Sequence, residues 1–381
     1  MGIPRVRALH PASRARTPSA QAHSRDHARC GKGRVSSLTC SVIVPARNCA
    51  GMLDQSLSAL IASTLPRERW ELIVVDDGST DETAAAAGAF ADRVLRIPDG
   101  PRGPAAARNR GAEVAQGEFL VFVDADVCVT AEVLAQLVDA FGSDEHIAAV
   151  FGAYDTEPRA PGMVSQYRNL LHHYVHLVNR GDAETFWAGC GAVRRSAFLA
   201  VGMFDEQRFP RPQIEDIELG YRLVANGDRI LLRPEIQGKH LKQWTLSRML
   251  ATDLKDRAIP WMLLLLERGN AGGSGTLNVR HTEKALTALV GVALAGVALA
   301  AILVDPRWLL LSLACIVCVV VANLPLLRWF AARRGFWFAL EVIPLRLAFY
   351  IVSGAGAAWA MFLHITGWHR TSAPALHGAL Q

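Results

Sequence analysis

Phe119-Leu120-Val121-Phe122-Val123-Asp124-Ala125-Asp126 is an uncharged, strand-forming run cut off by two carboxylates one residue apart. Side chains alternate between the faces of a strand, so Asp124 and Asp126 are expected to point different ways. One can then hold a metal while the other reaches a different part of the same ligand. That arrangement suits a metal-bound diphosphate, since hard divalent cations take oxygen donors. Two earlier runs end in the same manner. Ser41-Val42-Ile43-Val44 gives way to Pro45-Ala46-Arg47-Asn48, and Leu72-Ile73-Val74-Val75 to Asp76-Asp77-Gly78-Ser79-Thr80-Asp81. Ligands of open α/β sheets sit beyond the carboxyl ends of parallel strands. Three polar strand ends therefore predict one nucleotide site, although a strand leaving its sheet through a polar turn would explain any one of them alone.

Strand-like stretches at 41–45, 71–75, 93–97, 119–123 and 147–152 alternate with helical patterns around 52–63, 80–90, 105–115 and 131–140. Leu53, Leu57 and Leu60, and later Val133, Leu134, Leu137 and Val138, recur at helical spacing. Strand alternating with helix predicts an α/β fold with a doubly wound, mostly parallel sheet. The loop 98–104 is crowded with Pro and Gly. A helix is expected near 165–178, carrying His172, His173 and His176. His172 and His176 have the spacing of a metal pair but no adjacent carboxylate, and a helix facing the acceptor or the membrane is the competing reading.

The pieces Val42-Ile43-Val44-Pro45-Ala46-Arg47-Asn48, Val75-Asp76-Asp77-Gly78-Ser79-Thr80-Asp81, Ala107-Arg108-Asn109-Arg110-Gly111, Asp124-Ala125-Asp126 and Gln213-Ile214-Glu215-Asp216-Ile217-Glu218-Leu219-Gly220 occur in that order. As an ordered set they resemble the inverting family 2 glycosyltransferases of the GT-A fold, of the membrane-anchored bacterial type, over residues 40–245. The resemblance implies a nucleotide-sugar donor, UDP- or GDP-linked, and a Mg²⁺ or Mn²⁺ cofactor. It implies Asp126 as direct metal ligand and Asp124 on the ribose or a metal-bound water. Asp77 would hold the base edge or the ribose with Asp76 in support, and Pro45, Arg47 and Asn48 would line the nucleotide floor. Arg108 would approach the donor's phosphate or sugar, with a helix-surface ion pair as its alternative. Asp216, beside Glu215 at a helix start after Trp187-Ala188-Gly189-Cys190-Gly191-Ala192, is implied as general base, although acids there also cap helices. His240 would add a late metal or phosphate contact. The processive synthases similar to this family carry Gln-x-x-Arg-Trp, whereas this chain has Gln243-Trp244-Thr245-Leu246-Ser247-Arg248, so a polymer-extruding enzyme is not expected.

The 381 residues divide unevenly. Residues 1–39 hold eight Arg and Lys against the single acid Asp26, an excess larger than the whole chain's net +5. The basic character belongs to this tail, which argues against nucleic-acid binding by the folded body. Its Pro, Ser, Arg and His content reads as disorder, with contact to anionic lipid or a mis-assigned start codon as competing explanations. Seven scattered cysteines imply no disulfide framework and fit a reducing compartment. Residues 246–284 are expected to form an amphipathic interfacial helix and a glycine-rich joint, a soluble core helix being the plainer reading of its pattern. Three transmembrane spans follow, near 285–304, 308–327 and 345–366, each close to the ~20 residues that cross a bilayer, and 367–381 is a short tail. Arg280 and Lys284 before the first span, and Arg328, Arg333 and Arg334 between the second and third, outweigh Arg307 on the other side. The excess of positive charge puts the catalytic part in the cytoplasm, on the inner membrane. The expected acceptor is lipid-linked or an envelope glycan, with membrane lipid as partner. Two other readings compete: a sugar nucleotidyltransferase, which would need a glycine-rich phosphate loop near the first strand, and a non-catalytic scaffold of an envelope polysaccharide machinery.

Overall fold

A computed structural model describes residues 38–142, 144–269 and 280–367, all within the unit Ser36–Gln381. The basic tail, most of the glycine-rich joint and the last residues lie outside the described residues.

Nine strands form one sheet among the described residues: β1 Cys40–Ala46, β2 Trp70–Asp76, β3 Arg93–Arg96, β4 Phe119–Val123, β5 Val127–Val129, β6 Ile147–Tyr154, β7 Gly181–Ala183, β8 Cys190–Arg194 and β9 Arg229–His240. Their order is β3-β2-β1-β4-β8-β6-β9-β5, with β7 on β9. The half from β3 to β4 is parallel, and β1, β2 and β4 are apolar without alternation because both faces are covered. Phe119, Val121 and Val123 feed one core layer, and Leu120 and Phe122 the other. Beyond β4 the expectation of a mostly parallel sheet fails. β8 runs antiparallel to both β4 and β6, and β5 and β7 run antiparallel to β9, so the sheet is mixed. None of these antiparallel pairs is a hairpin: each joins strands well apart in sequence, and β6 is separated from β8 by the helix Met163–Val178.

The helix His281–Leu303 and the helix Phe336–Thr366 are long and apolar enough to cross a membrane, with mean hydropathies of 2.5 and 1.6. Between them Arg307–Ala322 and Leu324–Arg334 are bent by 58°, and together would make a third span. The expected second span therefore breaks at Asn323, whose side-chain amide donates to the Val319 carbonyl (2.9 Å). Pro325 sits in the first turn of the next helix, where its missing N–H costs nothing. The third helix begins at Phe336 rather than 345 and continues through Pro344. Arg346 of that helix donates to Asn323 (3.1 Å), Glu283 (2.8 Å) and Tyr350 (2.6 Å). One buried guanidinium thus ties the start of the first apolar helix to the bend of the second.

This helical part is packed onto the sheet domain. Tyr167, Leu170 and Leu171 of the helix Met163–Val178 share a core with Leu326, Leu327, Phe330, Ala339 and Val342. Arg334 donates to Gln166 (3.1 Å) and to the Thr156 carbonyl (2.7 Å). The expected interfacial element is also more deeply engaged than its amphipathic pattern predicts. It comprises the helix Leu246–Thr252, a π-helical turn Asp253–Ala258 and the helix Ile259–Glu267. Trp261, Leu264 and Leu265 pack on Phe209, Ile214 and Tyr221, so part of its apolar face is covered by the sheet domain.

Candidate active site

β4 ends at Val123 and the chain turns, the Val127 N–H donating to the Asp124 carbonyl (3.0 Å). Asp124 and Asp126 diverge as expected, through this turn rather than through strand alternation. Asp124 faces Arg108, which donates to it at 2.7 Å and to Glu215 at 2.9 Å. Arg108 is buried on the helix Pro104–Val114, so it is no surface ion pair; its charge joins two acidic segments far apart in sequence. Glu215 also accepts from the Gln213 N–H (2.9 Å) and is buried, which makes it the anchor of Arg108 rather than a free acid. Truncating one partner of such a buried pair strands the other charges, at about 3–5 kcal/mol. Arg108→Ala is accordingly expected to lower the thermal unfolding midpoint of the detergent-solubilised chain markedly, and an unchanged midpoint would show that the pairing contributes little.

Asp126 turns toward His240, its Oδ2 lying 3.4 Å from Nε2. The meeting follows from register, because β5 starts at Val127 and pairs Val127 directly with His240. The other ring nitrogen, Nδ1, lies 2.7 Å from Asn169 Oδ1, and Tyr154 stacks on the imidazole at 4.4 Å. A His whose Nδ1–H is given to a carbonyl oxygen keeps its Nε2 lone pair for a cation. Oδ2 of Asp126 and Nε2 of His240 are then two donors converging on one point, a set that fits Mg²⁺ or Mn²⁺ completed by water and phosphate oxygens. No group of three His, Cys, Asp or Glu ligands occurs among the described residues, so any such ion would need those further oxygens. Burial pushes the Asp126 pKa up, but hydrogen bonding and charge from His240, with Lys242 nearby, outweigh it and hold Asp126 below the ordinary carboxylate range; a cation bound between the two would take the place of the Nε2 proton in that contact. Asp124 moves the opposite way, burial raising it against the pull of Arg108.

Asp216 accepts from the N–H groups of Ala188 (3.1 Å) and Ile217 (2.8 Å) at the start of the helix Glu215–Ala225. Gly189, next to Ala188, accepts from the Asp124 N–H (3.2 Å), so one loop links both acidic segments. Burial, reinforced by the charge of Glu215 and opposed by Arg108, pushes the Asp216 pKa up to about 7.

The nucleotide-floor residues are placed less simply. Asn48 ties the end of β1 to the loop after β2, accepting from the Thr80 N–H (2.9 Å) and donating its own N–H to Ser79 (3.0 Å). Pro45 lies near the end of β1 and Arg47 is exposed just past it. Asp76 is buried, accepts from the Ser79 N–H (3.0 Å) and pairs with Arg96 (3.5 Å). Asp77 is held by the loop that follows β3: its two oxygens take the N–H groups of Arg102 (2.7 Å) and Gly103 (2.8 Å), which clamps the 98–104 loop to the end of β2. Gly103, at φ +90°, permits this: a Cβ there would lie 2.5 Å from the Pro210 carbonyl oxygen.

The three histidines of 165–178 form neither a metal pair nor a membrane face. His173 and His176 place Nδ1 2.7 and 2.8 Å from the carbonyls of Tyr154 and Gly152, fastening their helix to β6. His172 lies against His176 (3.9 Å) and Trp187 (4.5 Å). Burial pushes His172 well down and His176 down to about 4, so this aromatic wall is neutral near pH 7. Sequence reasoning passed over Asn169, Tyr154, Lys242 and the strand β9 itself. The alternation that buries Ile230, Leu232, Ile236 and His240 on one face of β9 was a signal for the last.

The profile named Glycosyl transferase family 2 matches residues 41–202. That segment of the chain is similar to family 2 glycosyl transferases. Validoxylamine A glucosyltransferase of Streptomyces hygroscopicus subsp. jinggangensis is 32% identical over 221 residues, covering 49% of this chain and 51% of that protein. The pre-mycofactocin glycosyltransferase of Mycobacterium tuberculosis is 29% identical over 254 residues, covering 64% and 48% respectively. The chain thus spans about half the length of the curated relatives it matches. Among solved structures, a Pyrobaculum calidifontis mannosyltransferase, PcManGT, determined with GDP-Man and Mn²⁺, superimposes with a TM-score of 0.53 at 20% identity. The match covers 84% of this chain and 87% of that one, and shows a shared fold. The matched segment runs from β1 past β8, and Asp216 and His240 lie in the residues that follow it.

Proposed function

We propose that this chain is a metal-dependent, inverting glycosyltransferase that moves a sugar from a UDP- or GDP-linked donor to a lipid-linked or envelope-glycan acceptor at the cytoplasmic face of the inner membrane. The observation that carries this reading is the pairing, around one buried arginine, of a cation-ready couple, Asp126 with His240, and a carboxylate tuned to about pH 7, Asp216. A bound Mg²⁺ or Mn²⁺ would supply neutralisation of the departing diphosphate. Asp126 and His240 would hold it, with Asp124 alongside. Asp216 accepts the proton of the acceptor hydroxyl, whose oxygen displaces the nucleoside diphosphate in one step and inverts the anomeric carbon. Arg108 keeps Asp124 and Glu215 in place beneath that chemistry. Pro45, Arg47, Asn48 and Asp76 form the floor near the nucleotide, while Asp77 shapes the floor through the 98–104 loop.

The membrane placement is supported by the apolar helices and by the positive residues beside them. Arg334, one of those residues, bonds directly to the catalytic domain, and the Glu283–Arg346–Asn323 contacts hold the start of the first helix level with the bend of the second. Both features suit a catalytic domain on the positive side of the bilayer. The experiment is nucleotide release by the purified full chain across UDP- and GDP-sugars, with and without Mg²⁺ or Mn²⁺. Metal-dependent release from one donor class is the expected result. Absence of binding to every sugar nucleotide would favour a scaffold and end this reading.

A further inference from the structure

Rings beside the site keep hydrogen-bonding edges that the chain itself does not use. Tyr154, His172 and Trp187 are half-buried, with centroids 4.3 Å apart for Tyr154 and His172, 4.5 Å for His172 and Trp187, and 4.9 Å for Tyr154 and Trp187. His172 Nδ1 is sealed from solvent without a partner. Among the described residues the Tyr154 hydroxyl and the Trp187 indole N–H make no hydrogen bond, yet both remain reachable from outside. Tyrosine and tryptophan enclosed by protein normally give their polar tips to a partner, so unspent tips gathered in one wall call for a ligand that supplies it.

Backbone bonds and ring contacts fix where this wall stands. Trp187 is followed by Ala188, whose N–H holds Asp216 (3.1 Å), and by Gly189, whose carbonyl takes the Asp124 N–H (3.2 Å). The indole lies so close to Gly189 that a Cβ added there would be 2.5 Å from it. Tyr154 stacks on His240 at 4.4 Å, and His240 meets Asp126 at 3.4 Å. The wall thus runs from the base to the cation couple. Tyr167, Leu170 and Leu171, on the helix that carries His172, share a core with Leu326, Leu327 and Phe330. That core puts the wall on the flank of the site next to the apolar helices, the side from which a membrane-held acceptor arrives. These side chains combine apolar bodies with polar tips, and burial keeps His172 neutral near pH 7. A pyranose has the matching make-up, C–H faces inside a rim of hydroxyls. A bare phosphate finds no cation within the wall, and a long-chain alcohol leaves most of the tips unpaired.

We propose that Tyr154, His172 and Trp187 form the acceptor subsite, and that the group received there is a neutral pyranosyl residue. This rests on the glycosyltransferase reading above and narrows its acceptor class. A ring hydroxyl oxygen of the acceptor forms the new bond to the anomeric carbon, its proton passes to Asp216, and the nucleoside diphosphate leaves with the bonding pair.

The test uses the full chain in phosphatidylcholine vesicles with the labelled donor that is active in nucleotide release. Acceptors share one tail: octyl gluco-, galacto- and mannopyranosides and octyl N-acetylglucosaminide, against octanol and octyl phosphate. Label is expected in a pyranoside, with octanol and octyl phosphate at least about tenfold poorer in kcat/KM, the scale of one hydrogen bond left unmade. Monodeoxy analogues of the active pyranoside are expected to include one about tenfold poorer than the parent. Trp187→Phe, which keeps a ring but loses the N–H, is expected to raise the acceptor KM about tenfold while the donor KM holds, and to erase the preference for the parent over that analogue. His172→Phe is the second variant, with the same split between acceptor and donor KM. Equal or better transfer to octanol or octyl phosphate overturns the acceptor class, as does no transfer to any pyranoside while nucleotide release persists; either result leaves the glycosyltransferase reading standing. An unchanged acceptor KM in both variants, a shift confined to the donor KM, or a wild type indifferent to every deoxygenation overturns the subsite. Absence of nucleotide release from every donor ends the underlying reading, and this inference with it.

Discussion

Asp216→Asn lowers kcat/KM for sugar transfer by ~10²–10⁴-fold, the usual worth of a positioned general base, and removes the acid limb of the pH profile. The sign follows from the environment. With its pKa pushed up to about 7, the wild-type carboxylate is the minority form below that pH, so kcat/KM rises as pH increases through 7 and then levels. One unit below the midpoint about a tenth of the plateau remains. The same burial has a stability consequence of opposite use. The folded state binds a proton more tightly than the unfolded chain between the ordinary value of 3.8 and about 7, so stability falls as pH rises through that window. The Asn variant lacks this penalty and is expected to melt higher than wild type at pH 8, with the gap closing at pH 4. Loss of activity with gain of alkaline stability is a combination that misfolding cannot imitate. A variant with full activity, or a wild-type profile flat between pH 6 and 8, would remove Asp216 from the base role.

Asp126→Asn should abolish tight Mn²⁺ binding and reduce nucleotide release on the order of 10²-fold or more, the scale of several kcal/mol of charge neutralisation. Electron paramagnetic resonance titration of free Mn²⁺ reads the first directly, without turnover. Asn169→Leu provides a finer probe. It leaves both donors in place but takes away the oxygen on His240 Nδ1, so the ring loses its fixed tautomer and orientation. Loss of such a supporting contact weakens metal affinity ~10–100-fold. If Asn169→Leu binds Mn²⁺ as wild type does, His240 is a packing residue against Tyr154, and the ion, if any, belongs to the two aspartates.

The parallel half of the sheet was readable because its signal is local. β1, β2 and β4 are short apolar runs ending in polar turns, and β4 was placed at Phe119–Val123 to the residue. The mixed half was not. β5, β7 and β8 have three to five residues each, too few for a period to register, and β9 mixes Arg, Glu, Gln and Lys with its buried positions. The apolar helices were evident from composition, but the bend at Asn323 depends on a bond from Arg346, a residue further along the chain. Likewise the histidines of 165–178 looked ligand-like on their own helix, and only the carbonyls of β6 turned them into fasteners.

By itself, then, the order of residues determined where the candidate groups fall: acids at strand ends, an acidic pair at a helix start, and apolar segments of bilayer length, all set by composition and short-range periodicity. Pairing was decided by the tertiary structure. Arg108 is shared between Asp124 and Glu215, His240 is brought to Asp126 by the register of β5 on β9, and Asp77 is bonded to the 98–104 loop. The reason is that a charge's role depends on what neutralises it and how dry its surroundings are. Both are properties of neighbours that the chain supplies from a hundred or more residues away, as Arg108 and Glu215 do.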